Sequence, residues 1–273
     1  MAGHREPEEI IGGKALSAYI ENFKKYKPLL SELAVRDIKT RYRRSALGVL
    51  WSLLNPLCQM VVLSIVFSNL FRNNIENFPL YILSGQVIYN FFSESTNSAL
   101  TAIIGSASLI KKAYIPKYLF VLSRILSSAV NVMATFAALM VVMLVTRAEF
   151  HYTMILAIIP IIFVILFSSG VGLILAAYAV KFRDIIHLYG VFVMALMYMT
   201  PIIYPMSMLP GVVHTIVMLN PLTNMVLMFR DLALYGIMPG PMSFVVALIE
   251  CAVVILIGLY VFYKKQDTFI LNL

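Results

Sequence analysis

Charge-poor apolar windows of about twenty residues recur along the chain, and each is long enough to cross the hydrocarbon core of a bilayer. Hydrophobic residues make up 61% and charged residues 12% of the 273 residues. That charged share is roughly half the share in an average soluble domain. Because backbone polar groups in hydrocarbon need internal partners, which helices provide, the sequence predicts an all-α membrane protein and excludes a soluble globular one.

Six apolar segments are separated by polar or proline-rich stretches, and we predict that each is a transmembrane helix. They lie at residues 47–71, 79–104, 118–146, 152–179, 187–205 and 242–263. Gly170 and Gly172 in the fourth segment predict close contact with a neighbouring helix. The stretch 206–241 holds apolar pieces shorter than a bilayer, punctuated by proline and glycine. We predict that it forms short re-entrant extracytoplasmic helices.

Basic residues are divided unevenly between the two sides that six spans define. Eighteen of the 21 lysines and arginines fall on the side of the N-terminus, and only Arg72, Arg147 and Arg230 fall on the other side. Loops rich in lysine and arginine stay in the cytoplasm. We therefore predict cytoplasmic N- and C-termini in a multi-pass membrane protein.

The chain switches from basic to apolar just before the first span. Arg36, Lys39 and Arg43 are spaced so that one face of a helix carries all three. Such a helix lies among anionic headgroups at the membrane surface, although a simple basic anchor has the same charges. Pro28 predicts a break in the preceding helix.

These observations predict three regions. Residues 1–46 form a cytoplasmic N-terminal region with the amphipathic interfacial helix, 47–265 form the six-helix transmembrane domain, and 266–273 form a cytoplasmic tail.

Sequence signatures of an enzymatic site are missing. The only Gly-Lys pair, Gly13 and Lys14, lacks the hydroxyl residue and the first glycine of a phosphate-binding loop. The four histidines are scattered without the spacing of metal ligands. The basic residues flank membrane segments, which does not favour nucleic acid. We predict a chain without its own ATPase site, catalytic residues, metal or cofactor.

Two cytoplasmic connections are candidates for contact with a partner. The first, residues 108–117, is basic and contains apolar residues. It fits either a short helix that enters a groove of a partner or a basic interfacial turn. The second, residues 181–185, fits a tight turn in which Asp184 caps the next helix, or a pairing of Arg183 and Asp184 with other segments.

Several short motifs, in this order, resemble the permeases of type 2 ABC transporters that export polysaccharides. They are Asp-Ile-Lys-Thr-Arg-Tyr at 37–42, Asn-Pro-Leu at 55–57, Leu-Ser-Gly at 83–85, Phe-Arg-Asp-Ile at 182–185, Thr-Pro-Ile-Ile-Tyr-Pro at 200–205 and Asn-Pro at 220–221. The resemblance covers nearly the whole chain after residue 33.

The resemblance implies the transmembrane transport subunit of an exporter of O-antigen or teichoic acid in the bacterial cytoplasmic (inner) membrane. It implies a homodimer that binds two copies of a separate ATP-binding subunit, with ATP and Mg on that partner. The substrate would be a polymer linked to undecaprenyl pyrophosphate. The ATPase-coupling residues would be Arg36, Lys39, Arg41, Leu109, Ile110, Lys112, Tyr114, Pro116, Arg183 and Asp184.

Other functions remain open at this point. One alternative is a permease for drugs or small lipids, and others are an ion-coupled transporter or a membrane-embedded transferase. The sequence does not identify the exported polymer or the type of cell envelope.

Polar residues interrupt the second span. Tyr89, Asn90, Glu94 and Asn97 are spaced so as to share a face of a helix. Ionisable groups inside membrane segments face protein or water, and aromatic rings stack on sugars. We predict that the second and fifth spans line a channel at the dimer axis with Glu94 in water. A polar block at the membrane surface would need no path. The candidate path residues are Tyr89, Asn90, Phe92, Glu94, Asn97, Tyr198 and Tyr204.

Overall fold

The computed structural model of the chain describes residues 13–42, 47–71, 75–112 and 115–272, which are helical over most of their length. The helices are α1 Gly13–Tyr42, α2 Leu50–Phe71, α3 Phe78–Leu100, α4 Ala102–Gly105, α5 Ala107–Lys112, α6 Tyr118–Thr146, α7 Ile158–Ala179, α8 Ile185–Tyr198, α9 Gly211–Met218, α10 Pro221–Arg230, α11 Pro241–Lys265 and α12 Phe269–Asn272. The prediction of an all-α protein is confirmed.

Four segments are long and apolar enough to cross a membrane, and they contain α2, α6, α7 and α11. They run over Leu50–Ser68, Tyr118–Thr146, Tyr152–Ala179 and Pro241–Thr268. A fifth candidate combines α9 with Pro221–Tyr235, which is bent by 89° relative to α9. Several apolar helices of this length make the chain a multi-pass membrane protein.

The remaining two predicted spans have a different character. α8 is a helix of 14 residues, and α3 is a helix of 23 residues that carries the polar block. α3 packs against α2, α6, α7, α8 and α10, so it lies at the centre of the molecule. Because other helices surround α3, its polar side chains meet protein rather than lipid, and the cost of placing them in a membrane falls.

The two glycines of α7 lie at close helix contacts, as predicted. A Cβ built on Gly170 would lie 2.6 Å from the backbone of Val254 in α11, and one on Gly172 would lie 2.8 Å from Ala99 in α3. Gly258 of α11 faces Gly170 in turn. Small residues of this kind let helices approach until their backbones touch.

The prediction that Pro28 breaks the N-terminal helix is wrong. α1 continues through Pro28 from Gly13 to Tyr42. Proline removes one backbone donor, which in a helix served the carbonyl four residues earlier. Pro28 lies on the exposed side of α1, where water can bond that carbonyl. Leu30 and Leu33, on the buried side, hold the helix against the rest of the chain.

Candidate functional site

A polar cluster centred on Glu94 joins three helices. Asn131 of α6 donates to both carboxylate oxygens of Glu94, at 2.5 and 2.6 Å. Arg41 of α1 forms an ion pair with the same carboxylate. A charge inside a membrane protein needs partners of this kind, and here the partners tie α1 and α6 to the central helix.

A pocket of about 340 Å³ opens beside this cluster, between α2, α3 and α6. Its wall is predominantly polar. The lining residues are Ser52, Asn55, Pro56 and Gln59 of α2, Asn90, Phe91, Ser93 and Glu94 of α3, and Asn131 and Thr135 of α6. Two of the predicted path residues, Asn90 and Glu94, are therefore in one pocket.

The other predicted path residues occupy different surroundings. Tyr89 is buried, and its hydroxyl donates to the carbonyl of Val193 in α8 at 2.7 Å. Phe92 is buried and packs against Phe167 of α7, with 5.8 Å between ring centroids. The amide of Asn97 donates within α3 to the carbonyl of Ser93. The contacts of Tyr89 and Phe92 hold α8 and α7 onto α3.

The two tyrosines of the fifth predicted span lie near its end. Tyr198 is 65% exposed, and its carbonyl accepts a hydrogen bond of 2.7 Å from the hydroxyl of Tyr204. The carbonyl of Tyr204 in turn accepts from the buried Tyr81 of α3. Tyr198 and Tyr204 thus lie together, apart from the residues that line the polar pocket.

A second ion pair ties α1 to α6. Asp37 is buried, and its carboxylate lies 3.4 Å from Arg124 of α6. Asp37 and Arg41 are one turn apart, so both anchors are on the same side of α1. Arg36 and Lys39 are exposed. Of the three predicted coupling residues on this helix, Arg41 faces the chain's own spans and the other two remain accessible.

The first cytoplasmic connection is the short helix α5. Ile110 is buried in the core of the chain, and Leu109 is half-buried against that core. Lys111 and Lys112 are exposed. The lysines are thus available to a partner protein, whereas Ile110 already packs within the chain's own core.

The other predicted coupling residues flank these positions. Pro116 is half-buried just before α6, and Arg183 and Asp184 are exposed before α8. Asp184 is at the N-cap position of α8 without a side-chain cap. Tyr114 lies outside the described residues.

A buried arginine that the sequence analysis counted only as an outside charge holds a second polar cluster. Arg230 of α10 is 1% exposed. It donates to the hydroxyl of Ser84 and to the carbonyls of Tyr81, Pro201 and Ile202, at 2.6 to 3.1 Å. Its guanidinium also stacks on the ring of Tyr81, 3.5 Å from the centroid. One side chain therefore joins α3, α10 and the irregular segment after α8.

The Asn-Pro motif before α10 supports the same junction. The side chain of Asn220 accepts from the backbone N–H of Leu222 at 3.1 Å and caps the helix. Pro221 follows at the first helical position, where a missing N–H costs little. The amide of Asn220 also donates to the hydroxyl of Thr200 at 2.9 Å. The sequence signal that could have indicated the Arg230 cluster is the presence of an arginine in an apolar stretch.

The C-terminal tail folds back beneath the spans. Lys117, beside the first cytoplasmic connection, donates to the carbonyl of Gln266 at 2.6 Å. Phe269 is buried and packs edge-to-face against Phe262, with 5.3 Å between ring centroids. The tail, which the sequence marks only as a separate segment, thus contacts the start of α6.

Comparison with known proteins identifies the family of this chain. Residues 28–234 match the ABC-2 type transporter family. The O-antigen export system permease protein RfbA of Klebsiella pneumoniae is 30% identical over 76% of this chain and 81% of its own length. The RfbA protein of Myxococcus xanthus is 30% identical over 67% of this chain and 70% of its own.

A polysialic acid transport protein is similar over a longer part of the chain. The polysialic acid transport protein KpsM of Escherichia coli is 24% identical over 88% of this chain and 92% of its own length. The family match covers more than half of the chain and includes α2 to α10. The chain therefore belongs to the ABC-2 type transporter family.

Proposed function

We propose that the chain is the permease subunit of an ATP-driven exporter that moves a lipid-linked polysaccharide across the cytoplasmic membrane. The similarity to O-antigen export permeases over most of both chains carries this proposal. The names of the relatives favour O-antigen or capsular polysaccharide over teichoic acid. They also favour polysaccharide over the drugs or small lipids of the alternative function.

The proposed topology has six spans, formed by α2, α3, α6, α7, α8 and α11. The enclosed position of α3 supports it, because a helix surrounded by protein can cross a membrane while carrying polar residues. The charge asymmetry supports cytoplasmic termini. In this topology α1 lies along the cytoplasmic surface, and α9 and α10 form a re-entrant pair on the opposite side. The pocket then lies in the cytoplasmic half of the membrane.

Energy for transport would come from a separate subunit that binds ATP and Mg. We propose that two copies of that subunit bind a homodimer of this chain. Exposed basic residues on α5 and α1, namely Lys111, Lys112, Arg36 and Lys39, are on the proposed cytoplasmic side. Charges at the edge of an interface chiefly set association rate and register.

We propose that α5 docks on the ATP-binding subunit. Reversal of the charges of α5 is then expected to weaken the coupling between the two proteins. An affinity-tagged chain, purified from its native host, is expected to carry an ATP-binding subunit with it. The double change Lys111→Glu and Lys112→Glu is expected to reduce the recovered partner severalfold, because both lysines are exposed and reversal repels an acidic surface. The yield of the partner per tagged chain and its ATP hydrolysis are the measurements.

The matched control is Lys111→Arg with Lys112→Arg, which keeps both charges. This variant should retain the partner and its hydrolysis at the wild-type level. Ile110→Asp is a poorer probe, because burial of a charge at that position would disturb the chain itself. Normal recovery and normal export in the charge-reversed variant would refute the docking role of α5.

A further inference from the structure

We propose that the polar pocket between α2, α3 and α6 is a binding subsite for an uncharged sugar unit of the exported chain. This inference rests on the proposed function and adds a location within a single protomer. The fifth span, where the sequence placed part of the path, does not contribute to it.

The depth of the pocket is the first argument. Gln59 is nine residues beyond the start of α2, which is about 14 Å along the axis at 1.5 Å per residue. The pocket therefore reaches well into the span. Amides and hydroxyls at such depth are costly when they lack hydrogen-bond partners. Water or a hydroxyl-rich ligand supplies partners, and hydrocarbon does not.

The chemistry of the lining selects the class of ligand. Four amide side chains, those of Asn55, Gln59, Asn90 and Asn131, line the pocket together with the hydroxyls of Ser52, Ser93 and Thr135. An amide offers both a donor and an acceptor. The hydroxyls of Ser52 and Thr135 donate to backbone carbonyls about one turn earlier, so they offer acceptors to a ligand. A sugar hydroxyl is both donor and acceptor and can bind either kind of group.

The charge balance disfavours an anionic ligand. Glu94 is the acidic residue of the lining, and its ion pair with Arg41 neutralises it. Both carboxylate oxygens also accept from Asn131. With no net charge at this end of the pocket, a pyrophosphate gains no attraction there, whereas a neutral polyol loses nothing.

One side of the pocket is rigid and the other is loosely bonded. The bonds from Asn131 to Glu94 are 2.5 and 2.6 Å long. Gln59 instead accepts from Gln86 at 3.5 Å and from Asn90 at 3.4 Å, which is near the limit for a hydrogen bond. The side-chain oxygen of Gln86, Oε1, is buried without a hydrogen-bond partner in the described part of the chain.

Weak bonds of this kind are exchanged for bonds to a ligand at little cost. Because Pro56 has no N–H, the carbonyl of Ser52, four residues earlier, lacks its usual helical hydrogen bond and is a further acceptor. The loose side of the pocket is therefore formed by α2 and the middle of α3, and we infer that the sugar binds there. The Glu94 cluster fixes the wall toward α6.

Cysteine protection tests the subsite. Ser93→Cys and Asn55→Cys are made separately, because Ser93 and Asn55 line the pocket and neither is buried. The background chain carries Cys58→Ala and Cys251→Ala. Glu149→Cys, at an exposed residue between two spans, is the control. Membranes holding the assembled transporter are treated with a water-soluble maleimide. The host's lipid-linked polymer or the sugar-free undecaprenyl pyrophosphate is added beforehand.

We expect both pocket cysteines to react without ligand and to react at least several-fold more slowly with the lipid-linked polymer. The Glu149→Cys control should react at the same rate with and without polymer. Equal reaction rates with and without polymer would overturn the subsite, and so would protection by undecaprenyl pyrophosphate alone, which indicates an anion site. A failure of both cysteines to react without ligand would also overturn it, because the pocket would then be closed to water.

A second variant separates ligand binding from folding. Gln59 is exposed on α2, and the bonds that it accepts from Gln86 and Asn90 are long. Gln59→Met therefore removes the amide at little cost to folding. We expect export to fall several-fold while the amount of assembled transporter stays unchanged. Unchanged export would count against the subsite. If loss of the whole chain leaves surface polysaccharide normal, the proposed function fails; if only the pocket results are negative, the subsite alone fails.

Discussion

Replacement of Arg230 by methionine is expected to remove most of the folded transporter from the membrane and to abolish export. The guanidinium satisfies one hydroxyl and three carbonyls in a buried junction. Each polar group left without its donor costs about 1–3 kcal/mol. Four such groups together are comparable with the whole stability of a domain. Detergent-extracted protein that elutes as a single species is the measurement.

Two further variants test whether the hydrogen bonds and stacking of Arg230 explain this loss of folded protein. Arg230→Lys keeps the charge, but an ammonium cannot reproduce the planar fork or its stacking on Tyr81, so we expect only partial recovery. Arg147→Met, at an exposed arginine, is the matched control and should behave as wild type. Wild-type yield and export in Arg230→Met would show that the junction is dispensable.

Gly258→Ala is expected to produce the second large effect. A Cβ at this position would lie 2.5 Å from the carbonyl oxygen of Gly170, and the obstacle is backbone rather than a movable side chain. α7 and α11 must then separate, and the contacts along their shared face weaken. Overpacking of this kind costs about 1–3 kcal/mol even among side chains. We expect a lower Tm for the purified protein.

The chain offers a control of the same chemical type. Around Gly190 of α8, nothing lies within 4 Å of a Cβ, so Gly190→Ala should leave Tm unchanged or slightly higher, since alanine favours helix. Equal Tm values for the two alanine variants would contradict the close approach of α7 and α11.

The boundaries of the long helices were predictable because their ends coincide with changes in polarity. The third predicted span has the same residues as α6, and the first and sixth differ from α2 and α11 by only a few residues. The prediction at Pro28 was wrong because water can replace the one backbone hydrogen bond that proline removes from a helix at the surface, and the helix continues. The local sequence does not indicate whether that part of the helix is exposed.

The candidate site was predictable only in part. Periodicity placed Asn90 and Glu94 on one face of a helix, and both line the pocket. It did not indicate that Arg41 and Asn131, which are distant in sequence, would bind Glu94. Pairing between helices depends on how they pack, which a single helix does not encode. Arg230 was counted as an exterior charge for the same reason.

Deletion of the gene for this chain in its native host tests the central claim most directly. The measurement is the amount of polysaccharide at the cell surface, together with the pool of lipid-linked polymer in the cytoplasmic membrane. The account predicts loss of the surface polysaccharide and accumulation of the lipid-linked polymer, with both reversed by the wild-type chain. Unchanged surface polysaccharide together with an unchanged lipid-linked pool would contradict it.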